Sequence, residues 1–229
     1  MVDEKNYSES LKAATQGGMN PKVYTDNGLM YGYEQHPKGK EFLEYYMSLG
    51  PLKKFISSVS EMSDNPNILD LGSGKGLESN EFKQILPSAK ITSVDISNAG
   101  TRSGRVNFGL DQVQGDVNAP PFPNEQFEGI HCKDVLVHVP DKKVFLENIS
   151  RILKPNGVFI VVSAEDVYEG FKQYKWSSEE LIAEAKNFGL ELASQEKIEM
   201  AVEDWYSYKS TRNFLLFKKT SVTSDIKEG

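Results

Sequence analysis

The chain has 229 residues, 33 acidic against 26 basic, a net charge of −7 and one cysteine, Cys132. Its Lys and Arg are scattered rather than striped, which argues against a nucleic-acid surface, and one cysteine builds neither an intrachain disulfide nor a thiolate metal site. No run approaches the roughly 20 apolar residues that span a bilayer, and the polar opening MVDEKNYSES lacks a signal peptide's basic-then-apolar plan. A cytoplasmic protein with one buried α/β domain and no membrane partner is expected.

Residues 1–62 read as an arm followed by a helical lid. Asp26-Asn27-Gly28 is a turn signal. From Lys40 to Met62 apolar residues recur at helical spacing, and Gly50-Pro51 should split the stretch into two helices. Residues 63–220 then alternate strand and helix, and residues 221–229 read as a frayed tail. Asn67–Leu71, Lys90–Val94, Asp111–Gln114 and Gly129–Cys132 are the first four strands, the fourth continuing through Val135-Leu136-Val137. Between them lie a helix from Glu78 to Leu86, with Phe82, Ile85 and Leu86 on one face, and a segment from Ser97 to Leu110. The second contains Gly100, Gly104 and Gly109, each costing about 1 kcal/mol relative to alanine in a helix, so a short or irregular helix is expected there. Asp141 should cap a helix with the apolar stripe Val144, Phe145, Ile149 and Ile152. Pro155-Asn156-Gly157 reads as a turn before the apolar strand Val158–Val162. Ser177 should cap another helix, and Leu190–Met200 and Asn213–Phe217 close the chain as an antiparallel pair. Alternation on this scale predicts a mostly parallel sheet with helices on both faces.

The sharpest motif is Asp70-Leu71-Gly72-Ser73-Gly74-Lys75-Gly76, where the first strand gives way to a helix. Glycines there permit a tight turn and close approach of a ligand to the backbone. A dinucleotide turn has G-x-G-x-x-G, but here the third glycine comes one residue early; no G-K-[ST] follows, so a P-loop is excluded. Asp70, two residues before Gly72, suits a ligand with a cationic amine better than a pyrophosphate. Asp95 ends the second strand, where a carboxylate can accept both hydroxyl protons of a ribose. Asp116 follows the third strand and could accept from an adenine amine, with Val117 packing on the ring.

These residues resemble those of the class I S-adenosylmethionine-dependent methyltransferases, closely over about residues 65–165. The segments that carry the resemblance are DLGSGKG, TSVDIS, GDV, FEGIHCKDVLVHVPD and LKPNGVFIVV. The resemblance implies a Rossmann-like, seven-stranded, mostly parallel sheet with an antiparallel final strand, S-adenosylmethionine as cofactor and S-adenosylhomocysteine as product. It implies that Gly72 and Gly74 hold the methionine part, with Asp70 near its amine, Asp95 at the ribose, Asp116 at adenine, and Ile96 and Val117 as the adenine wall. Lys133 joins that cofactor-binding set.

A narrower resemblance links Tyr24-Thr25-Asp26-Asn27-Gly28 and Lys133-Asp134-Val135-Leu136-Val137-His138 to phosphoethanolamine N-methyltransferases. It implies that Tyr24 and His138 form a dyad closing over the cofactor and that Asp134 holds a substrate amine. Where those enzymes carry a phosphate-binding arginine after the fifth strand, this chain has Tyr168, Tyr174, Lys175 and Trp176, which argues against a phosphorylated amine. Tyr168, Tyr174 and Trp176 are instead candidates for an aromatic cage round an ammonium group. His131 and Cys132 read as filling the fourth strand, and Tyr45 and Tyr46 as packing. The expected function is methyl transfer to a small molecule, first of all the nitrogen of a small amine. The rivals are O- or C-methylation of a small acid or phenol, a nicotinamide-dependent reductase, and a non-catalytic cofactor-binding module. No metal is called for, and the oligomeric state stays open.

Overall fold

The computed structural model describes residues 39–164, 176–200 and 210–221. Tyr24, Tyr168 and Tyr174 lie outside these residues. Two helices come first, α1 (Gly39–Ser48) and α2 (Gly50–Met62), separated by the expected break at Gly50-Pro51. There follow β1 (Asn67–Leu71), α3 (Leu77–Ile85), β2 (Lys90–Asp95), α4 (Asn98–Phe108), β3 (Asp111–Gln114), β4 (Phe127–Lys133), α5 (Lys142–Ile152), β5 (Leu153–Ala164), α6 (Ser178–Lys186), β6 (Leu190–Met200) and β7 (Ser210–Lys219).

The strands form one seven-stranded sheet in the order β3-β2-β1-β4-β5-β7-β6. The first five pair in parallel, and β7 runs antiparallel between β5 and β6. Because side chains alternate across a strand, each face of the sheet buries its own core. On one face Leu69, Leu71, Ile130, Phe159 and Val161 meet Phe145 and Ile149 of α5 and Leu181 of α6. On the other, Ile68, Ile91, Val158, Ile160 and Leu216 meet Tyr46 of α1, Phe55 and Val59 of α2 and Phe82 of α3.

Four local expectations change. The segment 97–110 holds a regular eleven-residue helix, capped by the Ser97 hydroxyl, which accepts from the Gly100 amide. Its glycines are contact points rather than breaks. A Cβ at Gly104 would stand 1.8 Å from Gln112 Oε1 and 2.7 Å from the Lys75 carbonyl, so only glycine lets α4 lie this close to the loop after β1. The fourth strand stops at Lys133 instead of continuing, because Asp134 adopts φ 56°, and a 3₁₀ turn covers Leu136–His138. Pro155-Asn156-Gly157 is a bulge inside β5, with Asn156 at φ 65°, rather than a turn before it. Ile85 and Val144, placed on apolar stripes, are 43% and 41% exposed. The caps agree with expectation: Asp141 accepts from the amides of Lys143 and Val144, and Ser177 forms a full capping box with Glu180.

Candidate active site

In an open α/β sheet the ligand crevice lies at the carboxyl ends of the strands where the strand order reverses. Here β1 is flanked by β2 on one side and β4 on the other, and the chain reaches β4 only after β3. The glycine loop after β1 and the Lys133-Asp134 corner after β4 therefore face one crevice. The loop is held mainly by hydrogen bonds to the neighbouring strands β2 and β3. The amides of Gly72 and Ser73 donate to the Val94 carbonyl at 2.8 and 3.1 Å, and that of Gly76 to the Ser73 carbonyl at 2.8 Å. Gly72, Gly74 and Gly76 all have positive φ, a region other residues enter at a cost. At Gly72 a Cβ would also stand 2.2 Å from Val135 Cγ2.

Asp95 anchors the loop from the neighbouring strand. Its Oδ2 accepts from the Gly74 amide at 2.8 Å and its Oδ1 from the Ser97 amide at 2.8 Å. Burial pushes its carboxyl above the usual carboxylate range, against the pull of those two amides. Gln112 of β3 braces the loop further: its Nε2 donates to the Gly74 carbonyl at 2.7 Å and to Ser73 Oγ at 2.9 Å. Asp116 sits beyond β3 in an Asx turn, accepting from the backbone and side-chain amides of Asn118, each at 2.9 Å. Val117 is partly buried against the α5-side core, and Ile96 is half-buried beside Asp95. Two carboxylates on the rims of adjacent strands suit the hydroxyls and amine of a nucleoside and would repel a pyrophosphate. The donor set and the glycine cradle thus fit S-adenosylmethionine.

Asp70 is 2% exposed. Its Oδ1 meets His131 Nδ1 at 2.8 Å, and its Oδ2 accepts from Ser79 Oγ at 2.5 Å. It therefore lies beneath the loop rather than on its surface. Lys133 is ion-paired to Glu78 at the start of α3, 2.8 Å away, and its ammonium stands over the Tyr46 ring.

On the acceptor side, Asp134 pairs with Arg212 of β7 and stands 4.0 Å from Lys133 Nζ. Its amide donates to the Val162 carbonyl at 2.9 Å, which fixes the left-handed corner. The segment Tyr168–Trp176 just after the fifth strand contains no arginine. The fold supplies one from the seventh, because Arg212 is the register partner of Ala164 at the end of β5. His138 is half-buried in the 3₁₀ turn beyond that corner, and burial holds its imidazole below the usual histidine range while Asp134 opposes the shift. Trp176 packs edge-on against Phe145, its indole N–H donates to the Val139 carbonyl at 3.3 Å, and Lys142 lies over its ring. Its ring and its N–H are thus engaged on the α5 side. Cys132 is fully buried within β4, and burial pushes its thiol well up. Among the described residues no cluster of His, Cys, Asp and Glu could hold a metal, and no helix is long and apolar enough to cross a membrane.

Fold and loop together define the class: the chain carries a class I S-adenosylmethionine-dependent methyltransferase domain. Residues 69–161 match the family described as methyltransferase domain. A fatty-acid O-methyltransferase from Mycolicibacterium smegmatis is 26% identical over 62% of this chain and 54% of its own length. A ubiquinone/menaquinone biosynthesis C-methyltransferase from Cronobacter sakazakii is 30% identical over 51% of this chain and 50% of its own. The chain thus spans about half the length of these curated relatives. Among solved structures, a provisionally named sarcosine dimethylglycine methyltransferase from Galdieria sulphuraria superposes with a TM-score of 0.63. It is 14% identical and covers 93% of this chain and 98% of its own, a likeness of fold alone.

Proposed function

We propose that this chain transfers the methyl group of S-adenosylmethionine to a small molecule. The observation that carries the reading is the glycine cradle at the switch point, tied down by Asp95 and rimmed by Asp116. When bound, the cofactor supplies a methyl on a sulfonium: an acceptor lone pair forms the new bond as the carbon–sulfur pair returns to sulfur, leaving S-adenosylhomocysteine. The protein's task is alignment, which can contribute roughly 7–11 kcal/mol. Gly72 and Gly74 would hold the methionine part, Asp95 the ribose hydroxyls and Asp116 the adenine amine, between Ile96 and Val117. Residues 63–220 would form this unit and residues 1–62 its lid, with Tyr24 closing over the cofactor and Tyr168 and Tyr174 lining the acceptor side.

One contact separates the acceptor classes. N-methylation of a small amine needs Asp134 for the ammonium group. That carboxylate already holds the Arg212 guanidinium, with Lys133 close by, so an ammonium would have to displace a bound cation. An acidic acceptor instead meets a guanidinium that Asp134 has oriented, and Arg binds planar anions through two parallel N–H bonds. The fatty-acid O-methyltransferase among the relatives points the same way. A small acid is therefore the better-supported acceptor. N-methylation of a small amine stands second, on Asp134 and His138. A radiolabelled-methyl screen over matched carboxylic acids, phenols and amines tests the order. Transfer to acids above the other two is expected, and transfer to amines alone would reverse it.

A further inference from the structure

The sheet face that packs under α1, α2 and α3 carries a buried polar row within its apolar core. Asp70 of β1 is the register partner of Ser93 of β2 and of His131 of β4, so three polar residues stand side by side on adjacent strands. Asp70 is 2%, Ser93 0% and His131 1% exposed. Ile68, Ile91, Phe82 and Ile160 surround them on the same face. Polar groups so placed are costly unless every one is bonded, and these are bonded in a directed way. Ser93 Oγ donates to Ser79 Oγ at 2.8 Å, and Ser79 Oγ donates to Asp70 Oδ2. A carboxylate can only accept, so His131 Nδ1 carries the hydrogen that meets Oδ1. The other ring nitrogen, Nε2, lies 2.8 Å from the hydroxyl of Tyr46, which is fully buried. Two donor chains converge on one carboxylate, Ser93–Ser79 from one side and Tyr46–His131 from the other.

The middle member of this row, Asp70, lies two residues before Gly72. A buried carboxylate there acts through low-dielectric surroundings on whatever the loop holds, and its field is weakly screened. Asp95 and Asp116 serve the second and third strands, so the first strand is left with the part of the ligand lying over Gly72 and Gly74.

We propose that Tyr46 and His131 are positioning residues of the cofactor site, whose converging hydrogen bonds aim the Asp70 carboxylate at the amino-acid half of the cofactor. This rests on the loop binding S-adenosylmethionine. It makes α1, which precedes the family-matched segment, a working part of the site: Tyr46 reaches Asp70, at the edge of the loop, through two hydrogen bonds.

Calorimetric titration of the whole chain with S-adenosylhomocysteine and with 5′-methylthioadenosine, which lacks the amine and carboxylate, tests the assignment. Tyr46→Phe should weaken S-adenosylhomocysteine by about 3- to 10-fold and His131→Leu by more than 10-fold. Methylthioadenosine should stay within about twofold in both. His131→Asn, which keeps a donor near the Nδ1 position, should recover part of the loss. Equal weakening of both ligands would mean that the row supports only the fold, and would overturn the proposal. So would unchanged affinity for S-adenosylhomocysteine in Tyr46→Phe, a near-isosteric change that keeps the test open should His131→Leu not fold. If the unaltered chain bound neither ligand, the cofactor reading itself would fail and this proposal with it. Binding by the unaltered chain with no effect of either substitution would remove only the positioning role.

Discussion

Asp95 illustrates how, under the proposed function, one carboxylate would serve both fold and ligand. It already accepts two backbone amides, one from the loop and one from its own turn. Asp95→Ala therefore removes the ribose acceptor and slackens Gly74 together. Hydrogen bonds to a charged group contribute about 1.5–3 kcal/mol, so affinity for S-adenosylhomocysteine should fall roughly 10- to 100-fold by calorimetry. Unchanged affinity would remove the ribose assignment. His138 offers a second test. Because its ring titrates below the usual 6.5, it is neutral at pH 7 and able to take a proton. If the acceptor is an amine or phenol, the rate should rise with pH through that lowered value and level off above it. A carboxylate acceptor loses its proton before binding and needs no base, so the profile should be flat from pH 6 to 8 and His138→Ala should cost little. The acids were legible in the sequence because each ends a strand beside a glycine or a turn. Arg212 was not, because its pairing with Asp134 spans 78 residues and depends on β7 inserting between β5 and β6. Gln112 was missed for a related reason: a lone glutamine in a short strand carries no local mark, yet its amide closes on the loop 38 residues upstream.

Among the elements, α4 departs most from its local propensity. Replacing a glycine in a helix by alanine normally gains about 1 kcal/mol. At Gly104 the added Cβ would meet Gln112 and the Lys75 carbonyl, and overpacking of this kind costs roughly 1–3 kcal/mol. Gly104→Ala should thus lower the urea midpoint despite its better propensity, and weaken cofactor binding by pushing on Gln112. A rise in the midpoint would show that the helix has room to move. In α6 the capping box behaves conventionally, and Ser177→Ala should cost about 1 kcal/mol in the same measurement. Caps, breaks and strand alternation were readable because they depend on neighbours in sequence. The helical state of 97–110 was obscured because its glycines answer to a contact outside the helix. The early end of β4 was obscured because Val135-Leu136-Val137 looks like strand by residue type, while Asp134 turns the backbone at φ 56°.

At the scale of the molecule, the proposed function gives the parallel half of the sheet the cofactor and the antiparallel end the acceptor. β2 and β3 each lead to an acid on the rim of the crevice, β1 carries Asp70 beneath the glycine loop, and β4 and β7 together carry the Asp134–Arg212 pair. The sheet's two faces also divide the work: one is a plain apolar core under α5 and α6, whereas the other carries the row Ser93–Asp70–His131 beneath the glycine loop. The row was invisible in the linear sequence, since its members become neighbours only through strand register. The cofactor is the claim on which the rest depends, and calorimetry of the full chain with S-adenosylhomocysteine, S-adenosylmethionine and NADH in turn tests it most directly. One-to-one binding of both sulfur nucleosides without binding of NADH is the expected result. Binding of NADH with no heat from either sulfur nucleoside would contradict it.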